Sequence, residues 1–259
     1  MERDLRGYME LAAEAAWEAG RLTLGYFRRG VGVETKADGT EVTRADREAE
    51  ALLRRRIQER CPGHGILGEE GGESGEGARA RWILDPIDGT RAFVRGVPLY
   101  AVLVGLEVEG RCEAGAAYFP ALDEMVCAAS GEGCFLNGRR VRVSATEDLG
   151  RALCAFTDAA SFERHGRGPQ WGRVLRSVGS CRGWSDAYGH ALVATGRADL
   201  MLDPVVNPWD CAPFPPILRE AGGYFGDWSG EETIYGGEAL STTRRLLPEV
   251  LRLLGPQNG

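Results

Sequence analysis

Lysine is nearly missing from this chain: of 31 basic residues, all but Lys36 are arginine. Two readings fit that absence. Either arginine is favoured throughout and Lys36 is a remnant, or position 36 needs a compact, flexible ammonium that a planar guanidinium does not replace. Cys-x-x-Cys pairs are missing as well. The seven cysteines are an odd number without metal-type or disulfide-type spacing, which excludes a zinc framework and a disulfide scaffold and suits a reducing cytoplasm. No apolar run approaches the roughly 20 residues of a membrane span. The opening Met1-Glu2-Arg3-Asp4-Leu5 lacks signal-peptide character, so a cytoplasmic protein without a membrane partner is expected. An excess of positive charge is also absent. The formal net charge of −7 argues against nucleic acid as the main partner. It would equally repel an anionic substrate, unless bound cations reverse the sign at the site.

What is present suffices for a sizeable core. The 259 residues, 43% of them hydrophobic, fit one large domain or two closely packed halves. Apolar residues at helical spacing from 3 to 27 (Leu5, Met9, Ala12, Ala16, Ala19, Leu22, Phe27) predict an amphipathic helix. A polar hairpin is expected from Val31 to Thr43 with Asp38-Gly39 at its tip. Thr43-x-x-Asp46 signals the cap of a second helix, buried along Ala49, Leu52, Leu53 and Ile57 and stopped by Cys61-Pro62-Gly63. Ile66-Leu67-Gly68 then leads into Glu69-Glu70 and a Gly-rich loop to Gly77. Runs at 99–106, 114–119 and 125–129 follow as strands, and Asn137-Gly138 marks a hairpin turn. The first half, 1–145, therefore reads as α+β with an antiparallel sheet. The second, 146–259, alternates strands at 152–156, 199–203 and 224–228 with helices at 186–194 and 244–254. It reads as α/β with a mixed or parallel sheet.

The chemistry gathers at Trp82-Ile-Leu-Asp85-Pro86-Ile87-Asp88-Gly89-Thr90. Two carboxylates end a buried strand, on a bend stiffened by Pro86 and permitted by Gly89. Strand ends are where α/β proteins keep their sites, and paired aspartates suit a hard, oxygen-liganded cation such as Mg²⁺. Bland roles stay open beside this one. Asp46 could only cap its helix, Glu69 and Glu70 could be solvated loop acids, and Asp210 could be an N-cap. His190 reads as a packed or surface histidine rather than a ligand.

Taken together, Gly68-Glu69-Glu70, Asp85-Pro-Ile-Asp88-Gly-Thr90, and Trp209-Asp210 with Ala221-Gly222-Gly223 resemble the signatures of the inositol monophosphatase family. Asp88-Gly-Thr-Arg91-Ala-Phe93 and Asp186-Ala-Tyr188 are similar to its histidinol-phosphatase branch. The resemblance implies a layered αβαβα sandwich with the active site between the halves, a homodimer, and a phosphomonoesterase holding two or three Mg²⁺ ions. It implies that Glu69, Asp85 and the Ile87 carbonyl hold one ion, that Asp85, Asp88 and Asp210 hold a second, and that Glu69 shares a third. Thr90 would orient a metal-activated water, with Asp46 accepting the threonine proton. Gly89 and Thr90 would open a helix whose N–H groups hold phosphate oxygens. Asp203 and Asp186 would face the rest of the substrate, with Ser185 a weaker candidate; Lys36, Glu70 and Arg91 are further possible site residues. Histidinol phosphate and inositol 1-phosphate lead as substrates, with fructose 1,6-bisphosphate and 3′-phosphoadenosine 5′-phosphate behind. A non-catalytic cation or polyol-phosphate sensor is the alternative of another class. One departure concerns Pro213, Pro215 and Pro216, which predict a helix starting near Ala212 or kinked at 215.

Overall fold

The computed structural model describes residues 4–30, 32–35, 41–184 and 186–256. Helix α1 (Leu5–Leu24) starts where an Asp4 carboxylate oxygen accepts the Gly7 N–H at 2.8 Å, and it buries Met9, Ala12, Ala16 and Ala19 on one face. Strands β1 (Val33–Thr35) and β2 (Glu41–Thr43) pair antiparallel, as the hairpin expectation requires. Its expected tip at Asp38-Gly39, and Lys36, lie outside the described residues. Helix α2 (Arg44–Arg60) opens on the predicted reciprocal cap: the Thr43 hydroxyl accepts the Ala45 N–H, and an Asp46 oxygen accepts the Thr43 N–H at 2.8 Å.

The larger sheet comprises β3 (Gly65–Gly68), β4 (Gly72–Ser74), β5 (Ala80–Asp88), β6 (Ala101–Val108), β7 (Arg111–Phe119), β8 (Glu124–Ala129), β9 (Gly133–Leu136) and β10 (Arg139–Arg140), with the short helix α3 (Thr90–Val94) between β5 and β6. Its order is β10-β9-β8-β7-β6-β5-β3-β4. Every pair is antiparallel except β3 with β5, which runs parallel. Strand β4 lies inside the Gly-rich stretch expected to be loop; the Arg54 guanidinium donates to the Gly72 carbonyl and ties this edge down. Asn137 and Gly138 turn β9 into β10 with positive φ at both residues (47° and 75°), the geometry that favours this pair.

The smaller sheet is built from β11 (Leu153–Phe156), β12 (Ser180–Gly183), β13 (Leu200–Asp203), β14 (Gly223–Gly226) and β15 (Ala239–Thr243), in the order β12-β11-β13-β15-β14. Strand β11 is parallel to both neighbours while β13, β15 and β14 alternate, so this sheet is mixed. Helices α4 (Ala159–Arg164), α5 (Gly168–Ser177), α6 (Asp186–Ala194), α7 (Pro208–Cys211), α8 (Phe214–Glu220) and α9 (Leu247–Leu254) complete the chain. Sequence patterning misses β12 and β15. The latter reads Ala-Leu-Ser-Thr-Thr and has no apolar run, yet it is wholly buried. Its hydroxyls are paired inside: Ser241 with His190, Thr242 with the Asp199 carbonyl, Thr243 with the Leu246 N–H.

Among the described residues, three of the four apolar cores lie in layers alternating with the sheets. One lies between α1, α2 and the large sheet, where Ala16, Leu53 and Ile57 meet Trp82, Leu84 and Val104. The second joins Ile83 and Leu103 of the large sheet to Met201 and Phe225 of the small one through Ala191 of α6 and Ile217 of α8. Outside the small sheet, Leu200 and Leu240 pack with Phe162, Trp171, Val250 and Leu253. Helix, sheet, helix, sheet, helix: this is the expected αβαβα sandwich. All seven cysteines are free thiols. Among the described residues no helix is long and apolar enough to cross a membrane.

Candidate active site

Strand β5 does not keep its register to the end. Asp85 faces Leu103 and Asp88 faces Ala101, so three steps along β5 match two along β6. Residues three apart on a regular strand point to opposite faces. The extra residue of this bulge brings Asp88 round to the face of Asp85. Pro86 sits inside it, where it has no ladder N–H to forfeit. The Ile87 N–H donates to Asp85 Oδ1 at 3.0 Å. Gly89 then takes a left-handed φ of 78° and starts α3. Asp88 Oδ2 accepts the Ala187 N–H at 2.9 Å, which joins β5 to the first turn of α6.

Asp210 reaches the same place from the other half. It is not an N-cap: Asn207 caps α7, and Asp210 is the third helical residue, accepting the Asn207 N–H at 2.7 Å. The prolines act as a break, with α7 ending at Cys211 and α8 starting at Phe214. Pro215 and Pro216 occupy its first turn, where a missing N–H costs no intrahelical bond. The junction seats directly on the large sheet at Gly105 and Gly115, which are register partners. A Cβ on Gly105 would lie 2.5 Å from the Ala212 Cβ, and one on Gly115 2.5 Å from the Pro213 Cα. These two glycines let the backbone carrying Asp210 approach β5.

One carboxylate oxygen from each of Asp85, Asp88 and Asp210 falls within a 4.8 Å group. Asp85 and Asp88 are buried. Desolvation, then the charges of Glu69 and Asp88, push the Asp85 carboxyl well above its ordinary range. Desolvation and the neighbouring Asp186 and Asp210 do the same to Asp88. Asp210 is pushed up to about 7, chiefly by burial, against the stabilising Asn207 N–H. Crowded carboxylates repel one another, and a hard, oxygen-liganded cation relieves that repulsion. Asp46, also buried, has its Oδ2 bonded to Thr43, but its Oδ1 meets no partner. A buried acceptor left open is rare and marks a place for another group. The residues fit a divalent metal.

The remaining expected site residues divide. Glu69, at the end of β3, donates its N–H to the Leu84 carbonyl at 3.2 Å, and its charge acts on Asp46, Asp85 and Asp210. The Thr90 hydroxyl donates to the Ile87 carbonyl at 3.2 Å, rather than to Asp46. Asp186 and Asp203 share one cavity with Asp88 and Asp210. Arg91 is exposed and lies within electrostatic reach of Asp158 instead of lining that cavity. Glu70 is partly buried, and its N–H is taken by Glu50. Ser185 lies outside the described residues.

Two cavity residues escape sequence reasoning. Thr157 and His190 both bond Asp203, the first at 2.5 Å and the second through Nε2 at 3.2 Å. The His190 Nδ1 meets Ser241 Oγ at 2.7 Å, and its ring packs on Phe214 and Phe225. His190 is packed, as expected, and it also orders an acid of the site. Its place four residues after Asp186 on one helix face was the available signal.

The layered αβαβα sandwich thus carries, at the end of β5 and the start of α7, an acidic cluster that could hold a metal. A profile of the inositol monophosphatase family matches residues 4–254, and the chain belongs to that family. It is therefore a phosphoric monoester hydrolase. It is 46% identical to a histidinol-phosphatase of Chlorobaculum parvum over 233 residues, 90% of each chain. An inositol-1-monophosphatase of Mesorhizobium japonicum is 37% identical over 254 residues, 94% of each. Among solved structures, the extragenic suppressor protein suhB of Bartonella henselae superposes with a TM-score of 0.88 at 31% identity, covering 96% of this chain and 98% of that one.

Proposed function

We propose that the chain is a Mg²⁺-dependent phosphomonoesterase for a small phosphorylated metabolite that carries a cationic group, with histidinol phosphate ahead of inositol 1-phosphate. The observation that carries this reading is the charge of the cavity: Asp186 and Asp203 line it beside Asp88 and Asp210, with no arginine among the described lining residues. Bound cations would answer for the phosphate; the acids beyond them suit an ammonium or a protonated ring. The relative that is 46% identical is a histidinol-phosphatase, which favours the same substrate.

Glu69, Asp85, Asp88, Asp210 and the Ile87 carbonyl would hold two ions, with Glu69 reaching a third. Those ions would neutralise charge at the phosphate and make water a better nucleophile. Gly89 and Thr90 would place phosphate oxygens at the opening of α3. Once the Ile87 carbonyl turns to a cation, the Thr90 hydroxyl needs another acceptor. Among the described residues Asp46 Oδ1 is the buried side-chain oxygen that accepts no hydrogen bond, which suits it to take the threonine proton. The test is inorganic phosphate release with Mg²⁺ from histidinol phosphate, inositol 1-phosphate, fructose 1,6-bisphosphate and 3′-phosphoadenosine 5′-phosphate. The highest kcat/KM is expected for histidinol phosphate. A preference for an uncharged polyol phosphate would overturn the substrate assignment.

A further inference from the structure

Helix α2 carries two buried carboxylates one turn apart, Asp46 and Glu50. Asp46 serves the cap, but Glu50 leaves the helix and enters the turn between β3 and β4. Its Oε2 accepts the Glu70 N–H at 2.7 Å and its Oε1 the Gly71 N–H at 2.8 Å. Arg54 Nε donates to the same Oε1 at 2.7 Å, while the Arg54 guanidinium also holds the Gly72 carbonyl. Two glycines make room for this carboxylate. A Cβ would lie 2.3 Å from Glu50 Oε1 at Gly68 and 2.7 Å from it at Gly71. A buried charge is costly unless it is paired and hydrogen-bonded; here three N–H donors converge on it.

Those contacts bracket Glu69. Its own N–H is fixed to the sheet through Leu84, and the two N–H groups that follow it are fixed to Glu50. We propose that Glu50 is a positioning residue for the metal site: it locks the turn so that the Glu69 carboxylate stays against Asp46, Asp85 and Asp210. Arg54, Gly68 and Gly71 complete the latch. This rests on the reading of Glu69 as a metal ligand under Proposed function. Groups that orient metal ligands set metal affinity, and losing one typically costs about tenfold to a hundredfold. Asp46 and Glu50 then make α2 a common mount for a group facing the site and for the brace of a ligand.

Calorimetric titration of Mg²⁺ into metal-stripped full-length protein tests this. Glu50→Gln keeps the side-chain shape but sets an amide against two N–H donors. It is expected to raise the Mg²⁺ Kd about tenfold to a hundredfold. Glu69→Gln should weaken binding at least as much, and the double variant no further than Glu69→Gln alone, because the two residues act as one unit. A lowered thermal midpoint with unchanged Mg²⁺ affinity in Glu50→Gln would make Glu50 a structural brace only and overturn the proposal. Should that variant fail to fold, Arg54→Ala decides, since it frees the same carboxylate from a more exposed position. A smaller rise in Kd supports the latch, and an unchanged Kd refutes it. Wild-type affinity in Glu69→Gln would instead show that Glu69 is no ligand. That removes the assignment under Proposed function and the latch with it, and it is distinguishable from a silent Glu50→Gln beside a weakened Glu69→Gln.

Discussion

Asp203 shows what a single residue contributes to the site. Its two oxygens are claimed by Thr157 and His190, and His190 is fixed in turn by Ser241. The carboxylate is thus held at the cavity with little freedom, as recognition of a charged group requires. Asp203→Asn should raise KM for histidinol phosphate about tenfold or more, the value of a lost charge-assisted hydrogen bond. It should leave KM for a plain aryl phosphate near that of the wild type. Steady-state kinetics on both substrates checks this, and equal losses on the two would remove the specificity role. Asp85 and Asp88 were legible in the sequence because two acids ending an apolar strand are hard to explain as surface. The Asp203 network was not. Its partners lie 13 and 46 residues away along the chain, and only the folding of β11, β13 and α6 brings them together.

Among elements, the bulge in β5 and the α7–α8 junction do most to build the site. The sequence showed the bend, through Pro86 and Gly89; from Pro213, Pro215 and Pro216 it predicted a helix starting near Ala212 or kinked at 215, where the structure has a break between α7 and α8. It did not show that the break rests on Gly105 and Gly115, because nothing local to β6 or β7 indicates which backbone will cross them. Gly115→Ala would force its Cβ onto the Pro213 backbone. Overpacking of this kind costs about 1–3 kcal/mol and should also displace Asp210. The expected result is a lower thermal midpoint together with weaker Mg²⁺ binding. Retained affinity in a destabilised variant would separate the junction from the metal site. Strand β15 was hidden for a different reason: it is buried through paired hydroxyls rather than apolar side chains, so no hydrophobic pattern marks it.

At the scale of the whole molecule, the acidic cluster couples stability to pH. Asp210 titrates near 7 in the folded chain and near the ordinary value of about 3.9 when unfolded. The folded state therefore binds the extra proton between those values, and stability falls as pH rises through that window. Below about pH 4 the contribution is fully present; above pH 7 it is lost. Asp85 and Asp88 shift in the same direction. Metal-stripped protein should thus show a thermal midpoint that drops from pH 5 to pH 8, with a shallower drop in Asp210→Asn. Added Mg²⁺ should raise the midpoint more at pH 8 than at pH 5, because ligand carboxylates must shed protons to bind it. Differential scanning fluorimetry across that range reads all three.

As proposed, phosphate-ester hydrolysis depends on cations held by Asp85, Asp88 and Asp210. The most direct test is phosphate release from an aryl phosphate by metal-stripped protein as Mg²⁺ is added back, with Asp88→Asn beside the wild type. No turnover is expected without the cation, with a saturable rise in the wild type and none in a variant that remains folded by circular dichroism. Turnover without added cation, or wild-type turnover by Asp88→Asn, would contradict that dependence.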